Sequence, residues 1–235
     1  IFTCPYCKDS GYVDGKRCMC FSKKAIDLIY KDSNLKNITT DENFDTFSFS
    51  WYNNTDIDPA TGLTPYNNMQ KVLKVCHDFV DNFDTNFSNL LFIGQTGVGK
   101  TFLSNCIARA LMDSCHSIIY LTAGEFFDSF KSNDFKEFGS SKFDTSFFVE
   151  CDLLIIDDLG TEKASDYNFS NLFNTINERL LRRKSIIISS NLEMPDIETR
   201  YSQRIFSRLV SAYSILRLFG DDIRCMKKLS PTKRS

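Results

Sequence analysis

Leu90-Leu91-Phe92-Ile93-Gly94-Gln95-Thr96-Gly97-Val98-Gly99-Lys100-Thr101 is the stretch on which the fold turns. Residues 94–101 fit G-x-x-x-x-G-K-[ST], and phosphate chemistry explains each residue type in that pattern. Glycines let the loop backbone curl and aim its N–H groups at phosphate oxygens. A helix opening at Lys100 turns its positive N-terminal end toward the same anion. Lys100 can reach the β- and γ-phosphates, and Thr101 offers a hydroxyl to magnesium. Asn89–Ile93 reads as a short apolar strand, so the motif has the strand–loop–helix setting it needs. The expected phosphate and nucleotide contacts are Gly94, Gln95, Thr96, Gly97, Val98, Gly99, Lys100, Thr101 and Phe102.

Downstream, Leu153-Leu154-Ile155-Ile156-Asp157-Asp158 puts two carboxylates after four apolar residues. Open α/β sheets bind ligands at the carboxyl ends of their strands. Asp157 would hold magnesium together with Thr101 and water, and Asp158 would orient and deprotonate an attacking water. Ser189-Ser190-Asn191 ends the next strand, where the Asn191 amide could polarise that water or touch the γ-phosphate; it could equally be a polar turn or helix cap.

The surrounding pattern supports an α/β fold with five parallel strands between helices. Strands are expected over Asn89–Ile93, Ser117–Leu121, Asp152–Ile156, Ser185–Ser189 and Ile215–Phe219. Helices are expected over Asn68–Asn82, Lys100–Met112, Ala123–Lys131, Asn168–Arg183 and Asp196–Ala212. Residues 1–22 form a cysteine-rich module, 23–66 a short helix and irregular linker, 67–224 the core domain and 225–235 a basic tail. The first residue is Ile1 rather than Met, which leaves open what native sequence precedes it.

The 235 residues suit one core domain with a small appendage, and a net charge of −2 gives no global case for nucleic acid. No apolar run approaches the roughly 20 residues that span a bilayer, and no secretory signal is visible. The nine cysteines are an odd number, which argues for a reducing compartment and a cytoplasmic location rather than a disulfide framework.

Four of those cysteines fall as Cys4-x2-Cys7-x10-Cys18-x-Cys20. Structural zinc takes four tetrahedral thiolate or imidazole ligands, usually including a C-x2-C knuckle. The turn-forming pairs Ser10-Gly11 and Asp14-Gly15 could fold the two halves together. The second half is tight, so either Cys18 or Cys20 could be spare, with His77 or another residue substituting. Such a metal would order a module too small to bury its own core.

Taken together, the P-loop, Leu153–Gly160 (LLIIDDLG), Ile187–Leu192 (IISSNL), Gln203–Leu209 (QRIFSRL) and Gly220–Arg224 (GDDIR) resemble the AAA+ ATPases. More narrowly they resemble bacterial helicase loaders of the DnaC/DnaI type and their IstB-like relatives. The resemblance implies an AAA+ core, ATP/ADP with Mg2+, and slow ATPase turnover. It implies a DnaB-type replicative helicase, single-stranded DNA and self-association through the nucleotide site as partners. Asn191 matches sensor 1. Arg208 matches an arginine finger that reaches a neighbouring subunit's nucleotide, with Arg204 one helical turn earlier. Arg224 is implied as a sensor-2-like contact. Phe44 or Phe47 would stack near the adenine or simply pin the linker. Lys163, in the Thr161–Asp166 stretch, would face DNA in an assembled ring. In similar loaders the cysteine-rich module contacts the helicase. The rivals are a transposition helper with the same core and a nucleotide-dependent DNA-binding scaffold with negligible turnover.

Two charge clusters have plainer readings. Arg179, Arg182, Arg183 and Lys184 sit where they would compensate a helix dipole. Lys227, Lys228, Lys233 and Arg234 read as a solvated end.

Overall fold

The strands around the P-loop run Leu90–Ile93 (β3), Ile118–Thr122 (β4), Leu153–Leu159 (β5), Ser185–Ser190 (β6) and Ser214–Arg217 (β7), preceded by a hairpin of Tyr12–Val13 (β1) and Lys16–Arg17 (β2). This computed structural model describes residues 2–13, 15–18, 20, 42–134 and 145–229; the helix expected within 23–36 lies outside them. The five core strands form one sheet in the order β4-β5-β6-β3-β7, every pair parallel, as the sequence pattern predicts. β3 therefore lies inside the sheet, with later strands on both sides. That is a topological switch point, where the strand ends open a crevice.

Alternation along each strand builds two cores. Leu91, Ile93, Ile119, Leu121, Leu154, Ile156, Ile186 and Ile188 face one layer. It is formed by Ala123–Asp134 (α3), Phe147–Glu150 (α4), Asp166–Leu181 (α5), Met194–Arg200 (α6) and Gln203–Ala212 (α7). Leu90, Phe92, Ile118, Tyr120, Leu153, Ile155 and Ile187 face the other, formed by Pro65–Asp81 (α1) and Lys100–Asp113 (α2). The run of Phe44–Thr46 and Phe49–Trp51, two 3-10 turns capped by Asn43 and Ser48, packs its aromatics on this second layer.

Several boundaries differ from the sequence reading for local physical reasons. α1 starts at Pro65, earlier than expected, because Thr64 caps it and proline suits the first helical position. The single helix expected over Asp196–Ala212 is two. Tyr201 is extended, its hydroxyl donates to Glu162 Oε1 at 2.5 Å, and Ser202 caps α7 by accepting from the Ile205 N–H. The boundary drawn at 224/225 falls inside a helix, Ile223–Leu229 (α8).

Arg179 is the largest departure. It does not belong to a solvated cluster but is fully buried at the amino-terminal end of the sheet. Its guanidinium donates to the carbonyls of Phe148 (2.7 Å), Asp152 (3.0 Å) and Ser185 (2.6 Å) and to the Cys151 sulfur (3.1 Å). It thereby ties α4 to the starts of β5 and β6. Arg179→Met should leave those carbonyls unpaired and cost about 3 kcal/mol or more in denaturant unfolding. Arg182→Met, on the exposed side of the same helix end, should stay within about 0.5 kcal/mol.

Candidate nucleotide site

The loop after β3 curls through Gly94 (φ 143°), Gly97 (φ 84°) and Gly99 (φ 107°), and α2 begins at Lys100. Lys100 is 5% exposed. Its ammonium donates to the carbonyls of Gly94 (2.6 Å) and Gln95 (2.7 Å) and to Asn191 Oδ1 (2.7 Å). Burial lowers its pKa, opposed by the negative charges of Asp158 and Asp157.

The two aspartates owe their arrangement to a bulge. Ile156 pairs with Ile188 and Leu159 with Ser190, so Asp157 and Asp158 together face Ser189 alone. In a regular strand consecutive side chains point to opposite faces, and a bulge re-aims one of them. Asp158 takes the left-handed conformation (φ 56°), which aspartate tolerates better than most residues. Asp157 accepts from Thr101 Oγ1 (3.0 Å), the Tyr120 hydroxyl (2.9 Å) and Ser189 Oγ. Asp158 accepts from Asn191 Nδ2 at 3.2 Å, and its backbone N–H donates to Ser189 Oγ at 2.9 Å. Burial, then the neighbouring charge of Asp157, raises the Asp158 pKa; Lys100, Asn191 and Arg224 pull the other way. Burial and the charge of Asp157 also push the Tyr120 phenol well up, so it remains a donor.

These groups open onto a cavity of about 390 Å³ lined by Thr96, Gly97, Gly99, Lys100, Thr101, Phe102, Asp158, Asn191 and Arg224. The pre-core turns supply its other wall through Glu42, Phe47, Trp51 and Tyr52. Phe47 stacks on Tyr52 (ring centroids 5.8 Å, 17° apart), whereas Phe44 lies on His77 (4.3 Å) and is not among the lining residues. Gln95, Val98 and Asp157 are not in the lining either; the Gln95 carbonyl anchors Lys100 and Val98 is core. Arg204 is exposed and Arg208 reaches Asn177 Oδ1 at 3.3 Å on α5, so neither lines the cavity of its own chain. Glu162, the nearest other carboxylate in sequence, is engaged by the Gly160 N–H, Tyr201 and Arg200.

Tyr120 and Trp51 were not singled out by sequence, Ser189 was read only as part of a strand end, and Lys227, read as part of a solvated basic end, lies at the site instead. Lys227 lies over the Trp51 ring at 5.6 Å and lines the cavity from α8. Spacing gives no signal for them, because each depends on which strands and turns become neighbours.

In the amino-terminal module the four cysteine sulfurs lie within 4.8 Å of one another. Cys4 and Cys18 approach to 3.8 Å and Cys7 and Cys20 to 3.2 Å. Tetrahedral Zn–S bonds of about 2.3 Å would put sulfurs about 3.8 Å apart, so the donor set fits one such ion. His77 is held at Phe44 in the core domain, which removes it as a substitute ligand. Burial opposes charge on Cys7, but hydrogen bonds from Cys20, the Gly11 backbone, Cys4 and Cys18 outweigh it and lower that thiol to about 6.

A phosphate-binding loop, two carboxylates and an amide at the carboxyl edge of a parallel sheet define a P-loop nucleotide-binding protein. The chain belongs to the IstB-like ATP binding protein family, whose sequence profile matches residues 64–230. It is 23% identical over 151 residues to the replicative helicase loader DnaC of Escherichia coli K12, covering 64% of this chain and 61% of that protein. It is 31% identical over 121 residues to the phage-like element PBSX protein XkdC of Bacillus subtilis, covering 49% of this chain and 44% of that protein. The chain thus matches less than two thirds of these relatives' length. Among solved structures it resembles a DnaC helicase loader (TM-score 0.61, 21% identity, 78% of this chain and 99% of the other). It also resembles AMPPCP-bound DnaA from Aquifex aeolicus (TM-score 0.61, 17% identity, 81% and 55%). The core domain has the AAA+ fold, and the chain stands in its DnaC/IstB-like branch.

Asp158→Asn tests the local electrostatics. Asparagine tolerates the left-handed backbone and can still accept from Asn191. The folded-state pKa of Asp158 is raised, so ionisation costs stability as pH rises through that value. The variant should therefore melt about 1–3 °C above wild type at pH 7 without nucleotide. The gain should vanish as pH falls and the wild-type carboxyl protonates. Calorimetry at several pH values checks this, and a lower melting temperature at pH 7 would contradict it.

Proposed function

We propose that the chain is an ATP-dependent loader of a DnaB-type replicative helicase, acting in the cytoplasm in the initiation of DNA replication. The observation that carries the reading is the convergence of Lys100, Thr101, Asp158 and Asn191 on one cavity, with Asp157 held behind Thr101 by a hydrogen bond. The name of the E. coli relative supports the helicase as partner, and the amino-terminal cysteine module is expected to be the part that contacts it.

In this reading the P-loop amides and Lys100 hold the β- and γ-phosphates, while Phe47 and Phe102 border the base. Thr101 and Asp157 would hold magnesium, which when bound neutralises phosphate charge. Asp158, aimed by the bulge and by Asn191, orients a water and takes its proton as the oxygen attacks the γ-phosphorus. The bond to the β–γ bridging oxygen breaks, ADP and phosphate leave, and the proton returns to solvent. Arg208, absent from its own chain's cavity, fits a role at a neighbour's nucleotide, with Arg204 beside it on α7. Arg224, which lines the cavity from α8, would meet phosphate charge. ATP binding would favour self-association and grip on single-stranded DNA, and slow hydrolysis would reset the complex.

A transposition-helper reading shares this core. The profile match to IstB-like proteins begins at residue 64 and leaves the cysteine module outside it. That module favours the loader.

Lys100→Ala should weaken ATP binding by about 10- to 100-fold, the equivalent of one charged hydrogen bond of about 1.5–3 kcal/mol. Wild-type protein with ATP should retain the host's replicative helicase and the variant should not. Helicase retention by neither form, with or without ATP, would remove the loader reading while leaving the nucleotide site intact.

Metal analysis of protein purified without chelators should find about one zinc per chain, and Cys7→Ser should lower it sharply. Metal-free wild-type protein would refute the four-thiolate site.

A further inference from the structure

We infer that Tyr120 and Ser189 are positioning residues for the Asp157 carboxylate, and that through it they set how strongly nucleotide binding depends on magnesium. The inference rests on the nucleotide reading above and extends it to two residues outside the motifs.

Asp157 is 5% exposed and sits at the sheet's carboxyl edge on β5, the second of the five strands. β4 lies on one side of β5 and β6 on the other. Each neighbour supplies a hydroxyl. From β4, Tyr120 is 3% exposed and donates to Oδ2 at 2.9 Å. From β6, Ser189 is fully buried and donates to Oδ1. Thr101 on α2 adds a third donor, to Oδ2 at 3.0 Å.

An ionised carboxylate offers about four acceptor sites. Two on Oδ2 go to Tyr120 and Thr101, and one on Oδ1 goes to Ser189. About one acceptor site remains, on Oδ1. Magnesium keeps several of its waters and demands near-octahedral order, so it reads a single well-aimed acceptor better than a mobile one. Outer donors of this kind hold a metal-binding carboxylate in place, and their loss typically costs about 10- to 100-fold in metal affinity. The Thr101 proton is committed to Asp157, which leaves that hydroxyl oxygen's lone pairs for the ion. Ser189 has a second task, since its oxygen also accepts the Asp158 N–H. Among the described residues the Tyr120 hydroxyl bonds to Asp157 alone, which makes it the cleaner probe.

Trp51 is the single tryptophan in the chain and lines the cavity, so its fluorescence reports occupancy. ATP affinity would be measured in EDTA and across a magnesium series for wild type, Tyr120→Phe, Ser189→Ala and Ser189→Thr. Circular dichroism would verify the fold. In EDTA, Tyr120→Phe should bind ATP within about twofold of wild type. Its magnesium midpoint should rise about 10-fold or more. Ser189→Ala should shift the midpoint the same way, and Ser189→Thr, which keeps the hydroxyl, should restore most of it. Should Tyr120→Phe not fold, the Ser189 pair reads the same quantity. Unmoved midpoints in the folded variants would overturn the inference, as would equal losses in EDTA and in magnesium. Wild-type protein that binds no ATP under either condition would overturn the nucleotide reading itself.

Discussion

One extra residue in β5, opposite Ser189, governs the geometry of the site. Without it Asp157 and Asp158 would alternate across the sheet, and only one could reach the P-loop crevice. With it, Asp157 keeps the face of Thr101 and Tyr120 while Asp158 is re-aimed to meet Asn191. A non-glycine residue in the left-handed region is unfavourable by about 1–2 kcal/mol. Ser189 answers part of that cost by bonding both aspartates at once, Asp157 through its proton and Asp158 through its oxygen. A serine hydroxyl is the smallest side chain that can donate and accept in one place.

The same crevice holds Lys100 in a closed arrangement. All three of its donors are used, on two loop carbonyls and on Asn191. Asn191 in turn donates to Asp158. The three side chains form one line from the phosphate-binding cation to the candidate base. The Asn191 side-chain oxygen also accepts from Thr96 Oγ1 at 3.4 Å, so the same amide joins the phosphate-binding loop to Asp158. Burial and the like charge of Asp157 oppose ionisation of Asp158, while Lys100, Asn191 and Arg224 favour it.

Much of this was legible in the residues. The P-loop is a local motif, and continuous apolar runs such as Leu90–Ile93 and Leu153–Ile156 announce strands covered on both faces, so the parallel sheet followed. What escaped the reading was set by neighbours. Tyr120 looks like any strand aromatic until β4 pairs with β5. Arg179 looks like its exposed neighbours until the helix phase turns it inward, onto carbonyls that α4, β5 and β6 bring together. The break at Tyr201 needs the Glu162 carboxylate, 39 residues away, to hold the tyrosine out of the helix. Arg204 and Arg208 show the opposite limit: their pattern is local, and neither lines their own chain's cavity.

The glycines of the P-loop answer to more than phosphate. A β-carbon at Gly94 would lie 2.0 Å from the Leu218 carbonyl oxygen, and one at Gly97 would lie 2.1 Å from the Asp222 carboxylate. The segment after β7 presses directly on the loop, and the Ile223 N–H donates to the Gly97 carbonyl at 3.0 Å. α8 then carries Arg224 and Lys227 over the cavity, with Lys227 resting on Trp51 of the opposite wall. The floor, the roof and the pre-core wall are thus one contact network. Gly97 is hydrogen-bonded to the residue that starts that helix, so the loop and α8 are in direct contact. The P-loop and α8 are therefore joined by a backbone hydrogen bond, beside a carboxylate that a β-carbon at Gly97 would displace.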